Sequence, residues 1–114
     1  MEIVFYAHHA PASDHMRRKA EQAVRRVARR APRPIDAVIR FEQDGPRRSV
    51  ELVLHAGRGR RFIARSESRY FGTALAEAVR RLATQLDHNK RTPKSRARRR
   101  ARAGAGTADG GESA

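Results

Sequence analysis

The sequence predicts an α+β fold: a β-α-β-β-β-α two-layer sandwich with a four-stranded sheet and two helices packed on one face. Three observations carry this. Side chains alternate with a period of two through three successive segments between residues 35 and 65. Segments on either side, near residues 13–30 and 68–90, repeat their apolar residues at three- and four-residue spacing, the period of one helical face. A short β-branched and aromatic run, Glu2 to Ala7, opens the chain and reads as a strand.

Taken in order, the first strand ends at His8-His9-Ala10-Pro11. Ser13 is the expected N-cap of the first helix, with Asp14 favourably placed on its dipole. That helix is expected to run to about Arg30, where Ala31-Pro32-Arg33-Pro34 stops it. Met16, Ala20, Ala23, Val24, Val27 and Ala28 fall within an arc of about 140° on a helical wheel. Arg18, Lys19, Arg25, Arg26, Arg29 and Arg30 fill the opposite side. Like charges at i,i+4, such as Arg25 with Arg29, each cost a few tenths of a kcal/mol, roughly. An anionic ligand explains that cost better than stability does.

In the second strand Ile35, Ala37, Ile39 and Phe41 are expected inside, before the turn Gln43-Asp44-Gly45-Pro46. Val50, Leu52, Leu54 and Ala56 repeat the pattern in the third. After Gly57-Arg58-Gly59, Phe62 and Ala64 repeat it in the fourth. Gly57-x-Gly59 sits between two antiparallel strands with no helix following, so it reads as a hairpin turn and not a phosphate cradle. The first strand, joined to the second by a helix, should lie parallel to it through a right-handed crossover. The second helix is expected over Ser68 to Lys90, with Phe71, Leu75, Ala78, Val79, Leu82 and Leu86 on its apolar stripe. Residues 1–90 read as the folded domain. Residues 91–114, rich in Arg and then in Gly and Ala, read as a disordered tail.

Charge is the loudest compositional signal. The 114 residues hold 26 Lys and Arg against 12 Asp and Glu, a formal net charge of +14. Residues 1–90 carry 19 cations and 10 anions, so the expected domain is itself basic at +9. Such a field attracts polyanions, nucleic acid first. With no cysteine, disulfides, thiolate zinc sites and cysteine nucleophiles are excluded. No apolar run approaches the ~20 residues of a membrane helix, and the N-terminus lacks a signal-peptide layout, so a cytoplasmic protein is expected.

The expected RNA-contact set is Arg18, Arg25, Arg26 and Arg29 on the first helix with Arg80, Arg81, His88, Lys90, Arg91 and Lys94 on and after the second. Tyr70 lies off the apolar arc and is a candidate for stacking on a base. His8 and His9, adjacent on a strand, should point to opposite faces and so not share a metal ion. Their expected role is to end the strand. No metal site, cofactor or small-molecule substrate is expected, and the scattered acids offer no convergent pair for catalysis.

Several motifs then align with a known family. The first strand closes on His8-His9, followed by Ser13-Asp14 and Met16-Arg17; Leu54-His55 precedes a glycine turn; Ala64-x-x-Glu67 follows. Last comes Leu75-x(6)-Leu82-x-x-Gln85-Leu86-x(3)-Lys90. In this order and spacing the chain resembles the ribosome hibernation promoting factor and ribosome-associated translation inhibitor family, over about residues 1 to 92. It departs from the family at Tyr70, Ala76 and Arg80, where acidic residues are common, and at Ala23, near a common lysine. The resemblance implies a divergent short form that binds small-subunit rRNA in the channel for mRNA and tRNA. It implies a steric block of translation without a reaction, and a monomer when off the ribosome. Two other readings stay open: a general double-stranded RNA-binding module and a small RNA-processing enzyme.

Overall fold

The six elements form in the predicted order. The computed structural model describes residues 1–10 and 12–89. The expected tail, with Lys90, Arg91 and Lys94, lies outside the described residues. The elements are β1 (Glu2–His8), α1 (Asp14–Ala28), β2 (Pro34–Asp44), β3 (Arg47–Ala56), β4 (Arg60–Ser68) and α2 (Phe71–Asn89). The strands form one sheet in the order β1-β2-β3-β4, with β1 parallel to β2 and the other neighbours antiparallel.

Ser13 caps α1 as its sequence position predicts: its hydroxyl accepts from the Met16 amide at 3.1 Å. Replacing Ser13 with alanine is expected to cost about 1 kcal/mol, seen as a lower urea midpoint at unchanged slope. The helix ends two residues before the expected boundary. The Arg30 and Ala31 amides donate back to Val27 and Ala28 as the last turn tightens, and Ala31, preceding Pro32, is driven out of the helical region.

Alternation sorts the strands onto two faces. Ala37, Ile39 and Phe41, Val50, Leu52, Leu54 and Ala56, and Phe62 and Ala64 are buried on one of them. Ile3 and Phe5 of β1 pack against the same core. Ile35 departs from the expectation. The register steps directly from Pro34 opposite Ala56 to Asp36 opposite His55, so Ile35 is an extra residue at a bulge and 55% exposed. A two-residue loop joins β2 to β3, with Gly45 at φ 61 supplying the positive first-position φ of a type II′ turn. The β3–β4 loop, Gly57 to Gly59, holds Arg58 at φ 67 and Gly59 at φ 70.

The second helix also starts later than expected. Ser68 is the last residue of β4, paired with Arg48, and its hydroxyl accepts from the Tyr70 amide. The Tyr70 carbonyl takes the first helical bond, from Ala74. From there Ala74, Leu75, Ala78, Leu82 and Leu86 bury a continuous stripe against β3 and β4. α1 packs on β2 and on α2 through Ala20, Val24, Val27 and Ala28, so both helices cover the same sheet face.

The free edge of β4 is covered by side chains of α2. Gln85 donates to the Ile63 carbonyl at 2.5 Å and Arg81 to the Arg65 carbonyl at 2.6 Å. Edge carbonyls that would otherwise template another strand are thereby occupied.

Candidate nucleic-acid interface

The outer surface of α1 is where unpaired positive charge collects. Arg18, Lys19, Arg26 and Arg29 are exposed and make no ion pair or side-chain hydrogen bond among the described residues. Arg18 and Arg29 lie on one stripe of the wheel and Lys19 and Arg26 on the next, along about 16 Å of helix. Arg25, on the same side, donates to the Met1 carbonyl at 3.0 Å. Arg17 pairs with Glu21, and its guanidinium stands 5.6 Å from the Phe5 ring centroid. The apolar arc that docks α1 also holds these cations outward. Arg25, Arg26 and Arg29, at the C-terminal end of α1, sit favourably on the helix dipole, which offsets part of the mutual repulsion.

α2 is different, because its cations are neutralised locally. Arg80 and Arg81 both reach Glu77, one and one-and-a-bit turns earlier, and Arg81 is further tied to β4. His88 is exposed in the last turn. Asp87 pairs with Arg30 at 3.3 Å, which brings the C-terminal ends of α1 and α2 together. The chain leaves α2 at Asn89 from that same end of the helical layer. Of the expected contact residues, Arg18, Arg25, Arg26 and Arg29 therefore share one surface, Arg80 and Arg81 are engaged in ion pairs, and Lys90, Arg91 and Lys94 are outside the described residues. Lys19 joins the surface although it was not in the expected set; its place on the cationic side of the wheel was the available signal.

The opposite face of the sheet has another character. It carries Glu2, Asp36, Glu42, Asp44, Glu51 and Glu67, six of the ten acids in residues 1–90, and four arginines, Arg40, Arg47, Arg61 and Arg65. The two layers thus have opposite charge balance, with the positive excess on the helical side.

Two further expectations meet the geometry here. His9 leaves the strand at φ 53, which ends the alternation and brings its ring to 4.0 Å from that of His8. The premise that the two must point apart fails at this pair. Among the described residues no group of three or more His, Cys, Asp or Glu side chains is placed to hold a metal ion. Tyr70 is 67% exposed beside the start of α2, while Phe71 turns inward and stacks on Phe41 at 4.8 Å. No helix among the described residues is long and apolar enough to cross a membrane.

Fold and surface together define a small two-layer α+β module whose helical side attracts polyanions. The chain belongs to the sigma 54 modulation protein / S30EA ribosomal protein family, whose model matches residues 3–94. Among solved structures it is similar to a ribosomal subunit interface protein from Coxiella burnetii, with a TM-score of 0.71 at 20% identity, over 79% of this chain and 98% of that one. It is also similar to the N-terminal domain of Protein Y from Thermus thermophilus, with a TM-score of 0.68 at 21% identity, over 79% of this chain and 100% of that one. At such identities the likeness speaks for the fold. No curated protein sequence matches the chain.

Proposed function

We propose that this protein is a non-enzymatic, cytoplasmic ribosome-binding factor that silences translation by occupancy. In this reading the α1 cations, with the basic residues that follow α2, lie along the rRNA backbone of the small subunit in the channel for mRNA and tRNA. The observation that carries it is the α1 surface: four exposed cations without partners among the described residues, on a helix whose other side is locked into the core. Family membership supplies the ribosome as the polyanion. Contacts of this kind go to phosphate, so they position the protein without reading sequence.

The test is sucrose-gradient sedimentation of a lysate containing the tagged protein. Co-migration with small subunits or whole ribosomes at low salt, lost at high salt, is the expected result. Protein that stays at the top of the gradient in stationary-phase cells would sink the proposal. Cleavage of rRNA or tRNA by the purified protein with Mg²⁺ would replace it with an enzymatic one.

A further inference from the structure

The open face of the sheet is self-complementary. Strand register places its outward side chains in four rows running from β1 to β4. They are Glu2-Asp36-His55-Arg61, then Val4-Val38-Val53-Ile63, then Tyr6-Arg40-Glu51-Arg65, then His8-Glu42-Ser49-Glu67. The second row is an unbroken line of β-branched side chains across all four strands. Ile63 is 40% exposed, and Tyr6 in the adjacent row 51%. Shallow depressions of about 320 and 310 Å³ lie on the same face, around Arg40, Glu51 and Arg65 and around His8, Glu42 and Glu67.

We infer that this face docks a second copy of the chain, sheet to sheet, about a two-fold axis running along the strand direction between β2 and β3. Such an axis keeps each row opposite itself and sets β1 over the partner copy's β4 and β2 over its β3. Within the apolar row Val4 then meets Ile63, and Val38 meets Val53. Glu2 faces Arg61 and Arg40 faces Glu51. Asp36 faces His55 and His8 faces Glu67 as well, but within the chain Asp36 is already bonded to His55 and Glu67 to Arg47 and Arg65. Tyr6 meets the Arg65 guanidinium. Only Glu42 and Ser49 form a pair without charge or ring complementarity.

Two features make this more than a pattern. Glu2, Glu51 and Arg61 have no ion-pair partner among the described residues, and Arg40 has only the Tyr6 ring, 5.5 Å from its guanidinium. These four are the charges that the axis joins as Glu2–Arg61 and Arg40–Glu51. The alternative in-plane axis, across the strands, sets the valine row against Arg40, Glu51 and Arg65 and buries charge on hydrocarbon. Polyanion is also a poor occupant, because six acids face four arginines here.

The patch is small. Four strands about 4.8 Å apart and four rows along them cover on the order of 500 Å² per copy, or about 1,000 Å² in all. That is the low end of specific interfaces, so the dimer should be weak and reversible. Sheets stacked face to face also twist by about 30°, which aligns the central strands best and weights Val38–Val53 and Arg40–Glu51 most. The monomer is what the family resemblance implies; the docking face arises only when four strands come into register. In this dimer both helical layers face outward, leaving the α1 cations free.

Sedimentation equilibrium of the full chain, over a concentration series to about 1 mM, tests the inference. A dimer with a dissociation constant in the range of about 10–100 μM is expected. Arg40→Glu, or Glu51→Arg, sets like charges against each other twice per dimer and should weaken it at least ~30-fold. The double variant R40E/E51R restores opposite charges in both the intrachain and the interchain pair, and should return to within ~5-fold of the parent. Val53→Lys, in the middle of the apolar row, should abolish the dimer, while Arg26→Ala on the far layer should leave it unchanged. A chain that stays monomeric to about 1 mM, or a dimer indifferent to R40E, E51R and V53K, overturns the inference.

Discussion

Replacing Arg18, Arg26 and Arg29 together by alanine should weaken association with small ribosomal subunits by about 100–500-fold at 0.1 M salt. Each phosphate contact contributes a slope of about 0.7 to 0.9 in log K against log salt, so three lost contacts should flatten it by about 2 to 2.7. These residues are chosen because nothing in the described structure competes for them: none has to leave an ion pair before meeting phosphate. Arg80 and Arg81 must give up Glu77, and Arg81 also the Arg65 carbonyl. Alanine at those two positions should therefore cost less per residue than on α1. Fold stability provides the control. The α1 cations are exposed and repel one another, so the triple variant should melt within about 0.5 kcal/mol of the parent, or slightly higher. Titration of fluorescently labelled protein with purified subunits across a salt series reads both the affinity and the slope. A slope unchanged by the triple substitution would move the contact surface away from α1.

The segments that were legible in the sequence are those where one local period decides the outcome. α1 is the clearest, since its apolar arc, its cation arc and Ser13 all agree, and the structure differs only in the final turn. The alternation in β2 and β3 fixed which side chains face the core, except at Ile35, where a bulge adds a residue that periodicity alone does not register. β4 outran its apolar pattern because its inward position beyond Ala64 is Ser66, a buried polar residue that hydrophobic alternation passes over. The second helix carried the larger surprise. A wheel shows Arg80 and Arg81 on its polar side, but Glu77 lies within reach of both and β4 lies beside Arg81. Whether a surface cation is free or paired depends on rotamers and on a neighbouring strand. The wheel contains neither. The rows on the open sheet face were hidden for a similar reason, since they require the register of three strand pairs at once.

Leu82→Ala should give a large loss of stability, about 3 kcal/mol within the usual 2–5 for a buried leucine. Leu82 is fully buried at the centre of the α2 stripe, among core residues from both helices and the sheet. For a domain of this size about 3 kcal/mol corresponds to a fall in Tm of about 12–24 °C, out of a total stability of about 5–15 kcal/mol. Leu82→Met, which keeps the volume, should cost less than about 1.5 kcal/mol. The two variants separate packing from any requirement for leucine itself. A second consequence follows from what else α2 does. Gln85 and Arg81 cover the Ile63 and Arg65 carbonyls of β4, so loosening α2 uncovers that strand edge. Leu82→Ala should therefore aggregate on heating at concentrations where the parent refolds, whereas Val4→Ala, on the open face, should lose little stability and refold. Light scattering during a thermal melt distinguishes them. If Leu82→Ala unfolds earlier but refolds cleanly, α2 contributes core packing alone and the cover it gives β4 is dispensable.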